Sequence, residues 1–383
     1  MSDSTEVLSS TPTAGPAGVT AGIAANAGVI DEAQRGSSMR KGIIAVVALV
    51  LLFAVPFVAN AYLVFVLSLT LVYAISTVGF NLLVGWSGQI GLAHAALFAI
   101  GAYGSAVGMV NGIPFLVTIP LAGLAAALLA VVIGFPAIRL RGFFLAIATL
   151  ALGMAIVELL VFARPLTGGG AGMNVDVWTL PGITGSASTY FVVLVVAALT
   201  FFLMRRALLG RFGRTLQAVR DLGPLTGSLG VSVLRYRLVA FGLSGFIAAV
   251  AGSLYAQLQT FIFPAMFQMN LLVPMLVMVF VGGAGSLWGP LVGAAFAVVL
   301  IEFFQDLGDQ QAIAYGVLLM VVIALLPGGL TSLFRTIRDS RFGTALLRRK
   351  PATPVPGTEG TAAAPETAAP ETAAPEIAAK EDA

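Results

Sequence analysis

The chain contains no cysteine, one histidine and three lysines in 383 residues. Without cysteine there is no disulfide, no thiolate metal site and no thiol nucleophile, and nothing firm follows about redox compartment. The single histidine, His94, has no acid near it in the sequence, so no metal site is expected. The lysines stand at Lys41, Lys350 and Lys380. None follows the spaced glycines of a phosphate-binding loop, so the chain is expected to have no such nucleotide site of its own. Charge of either sign is also scarce. Charged residues make up 10% of the chain, where a soluble domain carries about a quarter. Hydrophobic residues make up 58%, and the mean hydropathy is +1.00. These values describe an integral membrane protein.

Between Arg40 and Lys350 the acids are Glu158, Asp176, Asp221, Glu302, Asp306, Asp309 and Asp339. The apolar segments offer little beyond Glu158 and Glu302, each near an outer end. An ion- or proton-coupled transporter would want ionisable groups near the bilayer midplane. A membrane-embedded enzyme would want clustered histidines, acids or a Ser–Lys pair. Both readings lose ground here.

What the chain has in quantity is apolar runs of about 16–25 residues, the length of a transmembrane helix. They are placed at 42–59, 62–83, 91–110, 114–136, 143–163, 189–204, 236–258, 271–285, 290–306 and 313–331. This predicts an all-α integral membrane protein of about ten transmembrane helices, with residues 39–335 as the transmembrane domain. The positive-inside rule orients it. Arg40 and Lys41 hold the N-terminus inside. Arg139 and Arg141, the Arg205–Arg237 loop and the basic cluster Arg335–Lys350 then also fall inside, and only Arg164 lies in an outward loop. Both termini are expected in the cytoplasm. Residues 1–38 and 336–383, the latter basic and then rich in Ala, Pro and Glu, read as disordered tails. The basic residues lie beside membrane and need no nucleic-acid partner.

The Arg205–Arg237 segment holds seven arginines and one acid, Asp221. Phe212, Leu216 and Val219 recur at i, i+4 and i+7, with Arg211, Arg214, Gln217 and Asp221 on another face. The pattern predicts a short amphipathic helix, a break at Gly223-Pro224 and a further turn. Such a loop decorates the membrane surface or docks a cytoplasmic partner.

The segment Gly79-Phe-Asn-Leu-Leu-Val-Gly-Trp-Ser-Gly-Gln-Ile-Gly-Leu-Ala-His-Ala-Ala-Leu-Phe-Ala-Ile-Gly-Ala-Tyr103 combines breaking glycines with polar side chains. Irregular backbone at membrane depth survives when buried in protein or lining a cavity. Asn81, Gln89, His94 and Tyr103 are therefore candidates for a translocation path, against the alternative that they bridge packed helices. A second glycine element, Val281-Gly-Gly-Ala-Gly-Ser-Leu-Trp-Gly-Pro290, shares the Val-Gly-x-x-Gly spacing of Val84–Gly88. The outward loop 164–188 carries Gly168, Gly169, Gly170 and Trp178, the latter read as an interfacial anchor.

These residues resemble a known family. The Gly79–Tyr103 segment is similar to the signature of the permease subunits of branched-chain amino acid ABC importers, the LivM type. Arg139–Gly153, Gly168–Gly172, Gly210–Asp221 with Leu229–Phe241, and Val281–Pro290 resemble further elements of that family. The resemblance covers about residues 40–335. It implies import of branched-chain amino acids or a similar small polar solute, urea and amides being the alternative. It also implies a sister permease subunit, two cytoplasmic ATPases that bind the ATP, and an extracytoplasmic solute-binding protein. It assigns Gly210, Arg211, Arg214, Arg220, Asp221, Leu229 and Gly230 to ATPase coupling, and implies no cofactor in this chain. The residues after Asp221 depart from the family pattern: Leu222-Gly-Pro-Leu-Thr-Gly-Ser228 stands where a helix with acids and paired alanines continues.

Overall fold

A computed structural model describes residues 52–140, 142–181, 185–223, 225–304, and beyond these only 316, 320 and 329–331. The expected tails, most of the expected spans 42–59 and 313–331, and Arg141 and Pro224 lie outside the described residues.

A helical run at 52–58 leads to Asn60, whose Oδ1 accepts from the Leu63 N–H and caps α1 (Ala61–Asn81). Such a cap satisfies a donor that the first helical turn cannot bond internally. There follow α2 (His94–Val110), α3 (Phe115–Ala137), α4 (Phe143–Phe162), α5 (Gly185–Leu209), α6 (Arg211–Leu222), α7 (Val233–Gln259), α8 (Met269–Gly282) and α9 (Gly289–Phe303). Among the described residues, six stretches are long and apolar enough to cross a membrane: Ala61–Trp86, Phe115–Ala137, Phe143–Phe162, Gly185–Leu209, Val233–Gln259 and Pro264–Gly282. The shorter apolar helices His94–Val110 and Gly289–Phe303 occupy the positions of the expected third and ninth spans. The helices arise because lipid offers the backbone no partner, so every N–H and C=O must be closed within the segment. Ser68, Thr70, Thr77, Thr118 and Thr149 donate back to carbonyls three or four residues earlier, which lets polar side chains sit inside an apolar bundle.

Helix α7 is the centre. It packs on α1, α2 and α3, and 78% of its most apolar window is buried, against 39% for α3, α4 and α5. Lipid tails are as apolar as leucine, so burial of oily surface does not by itself bring helices together; close approach does. Small residues supply it. A Cβ on Gly101 of α2 would strike the Ala249 backbone of α7, and one on Gly252 of α7 would strike the Phe98 carbonyl of α2. Ser253 crosses the same seam, its Oγ donating to Gly101 O at 3.0 Å.

At the far end of α7 the two long connections fold onto each other. Met173 and Asn174 pair antiparallel with Ile262 and Phe261, the only strands among the described residues. Gln257 bridges them, donating to Asp176 O and accepting from the Trp178 N–H, both at 2.9 Å. Trp178 is thus tied to α7 and lies 6.1 Å from the Phe115 ring. The glycine run is a tight turn: Gly168, Gly169 and Gly172 all have positive φ, the region an L side chain avoids.

Candidate functional site

Helix α1 does not end cleanly. Its last turn widens into a π-helical turn, Leu82–Trp86, and the chain then runs without regular helix to His94. Pi-turns of this kind release carbonyls from the regular ladder. The second glycine element, between α8 and α9, lies directly against this break. Asn81 joins the two: its Oδ1 accepts from the Gly285 N–H and its Nδ2 donates to Ser286 O, both at 2.8 Å. A Cβ on Gly85 would strike both the Gly285 backbone and Asn81 Oδ1. The shared Val-Gly-x-x-Gly spacing therefore marks two backbones that touch. Nearby, Thr331 Oγ1 donates to Gly282 O at 2.8 Å.

The amphipathic loop helix reaches the same place. Helix α6 spans Arg211–Leu222 as its periodicity predicts, with Gly210 extended before it and Gly223 at φ 54° after it. The second turn forms at Leu225–Ser228, and Thr226 donates back to Ala218 O at 3.0 Å. Leu216 and Val219 are fully buried, and Phe212 stacks on Tyr236 of α7 at 6.1 Å. The apolar face is covered by this chain's own α5, α7 and the Leu82–Trp86 turn. Gly213 sits so close to the end of α5 that a Cβ would strike the Leu208 backbone.

Arg220 carries the contact that sequence reasoning did not foresee. Its guanidinium donates to Gly85 O and, through Nε, to Asp221 Oδ1 at 2.7 Å. Gly88, at φ 69°, makes room for the arginine stem, since a Cβ there would meet Arg220 Cγ. The Arg220 and Asp221 side chains are 37% and 58% exposed, so as an ion pair they contribute little. The carboxylate instead fixes the plane of the guanidinium that caps the loose Gly85 carbonyl. Arg211, Arg214, Leu229 and Gly230 are exposed, as are Leu222 and Leu225.

Of the four candidate path residues, Asn81, Gln89 and His94 belong to this broken segment. Tyr103 lies nine residues further along α2, about 14 Å by helical rise. Gln89 is buried; its amide donates to Ser87 Oγ and its N–H to Leu83 O at 3.0 Å. His94 is buried between three helices. Nε2 lies 3.1 Å from both the hydroxyl and the carbonyl of Ser76 in α1, Nδ1 lies 3.2 Å from Ser244 Oγ in α7, and the ring stacks on Phe80 at 4.7 Å. Tyr103 stands edge-on to Phe267 at 5.9 Å, and Phe267 in turn meets the rings of Phe98 and Tyr255. Among the described residues, the Tyr103 hydroxyl, Gln89 Oε1 and Trp86 Nε1 are buried without a hydrogen-bond partner. No group of three or more His, Cys, Asp or Glu that could hold a metal ion is found among the described residues.

Residues 62–326 match the family described as the branched-chain amino acid transport system / permease component. The chain is 32% identical over 337 residues to the high-affinity branched-chain amino acid transport system permease protein LivM of Salmonella typhimurium, covering 81% of this chain and 79% of the relative. The Escherichia coli protein of the same name matches to the same extent. A probable branched-chain amino acid transport permease protein LivM of Methanocaldococcus jannaschii is 24% identical over 55% of this chain and 67% of the relative. Among solved structures, PsaBC from Streptococcus pneumoniae in complex with Fab aligns at 15% identity and a TM-score of 0.37, over 71% of this chain and 91% of that one.

Proposed function

The chain belongs to the permease components of branched-chain amino acid transport systems, and from that premise we propose that it is one of two membrane-spanning subunits of an ABC importer. It moves branched-chain amino acids inward, powered by two separate cytoplasmic ATPases and supplied by an extracytoplasmic binding protein. ATP is bound by those partners, and this chain holds no cofactor. The observation that carries this reading is the attachment of α6 to the broken end of α1 through Arg220 and Gly85. A helix exposed to a cytoplasmic partner is thereby joined to the irregular segment of the membrane domain, which is the geometry an external motor needs.

The partner-facing surface follows from what is already covered. Leu216 and Val219 are spent on internal packing, so the ATPase would meet Leu222, Leu225 and Leu229 with Arg211 and Arg214 around them. The turn that departs from the family pattern carries part of that surface. A lone cysteine at Gln217 or Leu225, in a chain without any other, is expected to cross-link to the ATPase with an efficiency that changes with bound nucleotide. Cross-linking to lipid alone would overturn the docking.

In this reading residues 39–335 form ten crossings, the basic clusters lie inside, and both tails are cytoplasmic. Reporter fusions at the two termini are expected to report the cytoplasm; an external C-terminus would remove one crossing or add one. The Tyr103 hydroxyl and Gln89 Oε1 are kept for the solute path, since each is a buried polar atom without a partner among the described residues. Uptake of labelled leucine, competed by isoleucine and valine but not by urea or amides, is the expected specificity. The reverse pattern would move the chain to the amide-importing alternative.

A further inference from the structure

We propose that Asn81 is a positioning residue that makes the broken end of α1, the turn between α8 and α9, and α6 one moving unit, so that displacement of α6 is transmitted to α1 and to the α8–α9 pair at once. The inference rests on the importer reading above and goes beyond it in naming the linkage.

Three contacts define the unit. Asn81 bonds the second glycine turn in both directions, donating to Ser286 O and accepting from Gly285 N, so its amide replaces two backbone bonds that the turn cannot make internally. Gly85 and Gly285 approach until a single Cβ would part them. Arg220 holds the carbonyl of the same Gly85 from the other side. The Gly85 peptide is therefore clasped between α6 and the α8–α9 turn. Pulling on Arg220 moves Gly85, and Gly85, four residues along the same chain from Asn81, cannot move independently of Gly285 while Asn81 bonds Gly285 and Ser286. Rigid elements in van der Waals and hydrogen-bonded contact carry a displacement that a loose loop would absorb. The residues joined are 204 positions apart in sequence, so the linkage is tertiary.

The sequence chemistry fits a clasp better than a solute contact. An amide is the side chain that offers a donor and an acceptor in one plane, and both ends of this one are used. Asp in its place would keep an acceptor for Gly285 N–H but set a carboxylate against Ser286 O. Leu would supply neither bond.

The test uses the assembled importer in proteoliposomes, reading uptake of labelled leucine and ATP hydrolysis together. In Asn81→Leu and Asn81→Asp the solute moved per ATP hydrolysed is expected to fall about tenfold. Gly85→Ala, whose added Cβ parts the same contact by meeting the Gly285 backbone and Asn81 Oδ1, is expected to do likewise. A structural role alone would lower abundance and leave that ratio unchanged. The rescue is specific. Asn81→Cys alone is expected to uncouple, and the pair Asn81→Cys with Ser286→Cys, joined by a short thiol cross-linker, to recover at least half of the wild-type ratio.

Three results would overturn the linkage: an unchanged ratio in Asn81→Leu and Gly85→Ala, a cross-linked pair that hydrolyses ATP without transport, or loss of assembled complex in every variant, which would make the contact part of the folding core only. Failure of the wild-type complex to couple uptake to ATP hydrolysis would be a failure of the importer reading instead.

Discussion

Gly252→Val should all but remove the protein from the membrane. The residue sits where α7 crosses α2, and the first atom a side chain adds would meet the Phe98 carbonyl carbon and oxygen and the Ala102 N. These are backbone atoms, so no rotamer change relieves the overlap. The reciprocal contact, Gly101 against Ala249, pins the same pair of helices from the other side, and Ser253 bonds across the seam. The two helices must separate by the width of a side chain, which breaks van der Waals contact along the seam that centres the bundle. Overpacking of a tight core costs about 1–3 kcal/mol, and a β-branched group facing rigid backbone belongs at or beyond the upper end. Against a total stability of about 5–15 kcal/mol, membrane abundance is expected to fall about tenfold or more, with a proportionate loss of uptake. Gly227→Ala is the control: that glycine has nothing within 4 Å of a Cβ, and the change should stay within about 0.5 kcal/mol of wild type. Wild-type abundance and uptake in Gly252→Val would mean that α2 and α7 do not cross at these glycines.

His94→Ala is expected to destabilise the bundle by about 2–3 kcal/mol. Two terms contribute unequally. Bonds between side chains of packed membrane helices average only about 0.6 kcal/mol each, so losing Ser76 and Ser244 accounts for the smaller part. The larger part is the cavity left beside Phe80, whose ring stacks on the imidazole at an interplanar angle of 11°. His94→Phe, which keeps an aromatic plane and loses the bonds, should therefore recover much of the loss. Thermal unfolding in detergent, measured beside uptake in membranes, separates stability from function. The sequence left His94 open between a translocation path and a bridge among helices, and its contacts to α1 and α7 favour the bridge. A His94→Ala protein as stable as wild type but inactive in transport would return the residue to the path.

Much of the molecule was legible in the chain before any fold was known. The membrane environment, the positions of the described helices, the amphipathic α6 with its break at Gly223 and the two long connections follow from residue properties that act locally: partition between water and lipid, 3.6-residue periodicity, and the backbone freedom of glycine. What stayed hidden was which faces meet. Helices in lipid are apolar all round, so a leucine against α7 and a leucine against a lipid tail look alike in sequence. Periodicity found the apolar face of α6 but could not tell that its own chain covers Leu216 and Val219 and leaves Leu222, Leu225 and Leu229 exposed. The repeated Val-Gly-x-x-Gly spacing hinted at a relation, yet contact between Gly85 and Gly285, with Asn81 bonding the turn and Arg220 holding Gly85 from α6, depends on helices far apart in sequence crossing at one point. The sequence alone determined a permease chain of this family and where its described helices lie. Which of its polar residues bond one another, and through them which helices move together, was decided by tertiary packing, because hydrogen bonds at membrane depth form only between groups that the fold brings within about 3 Å.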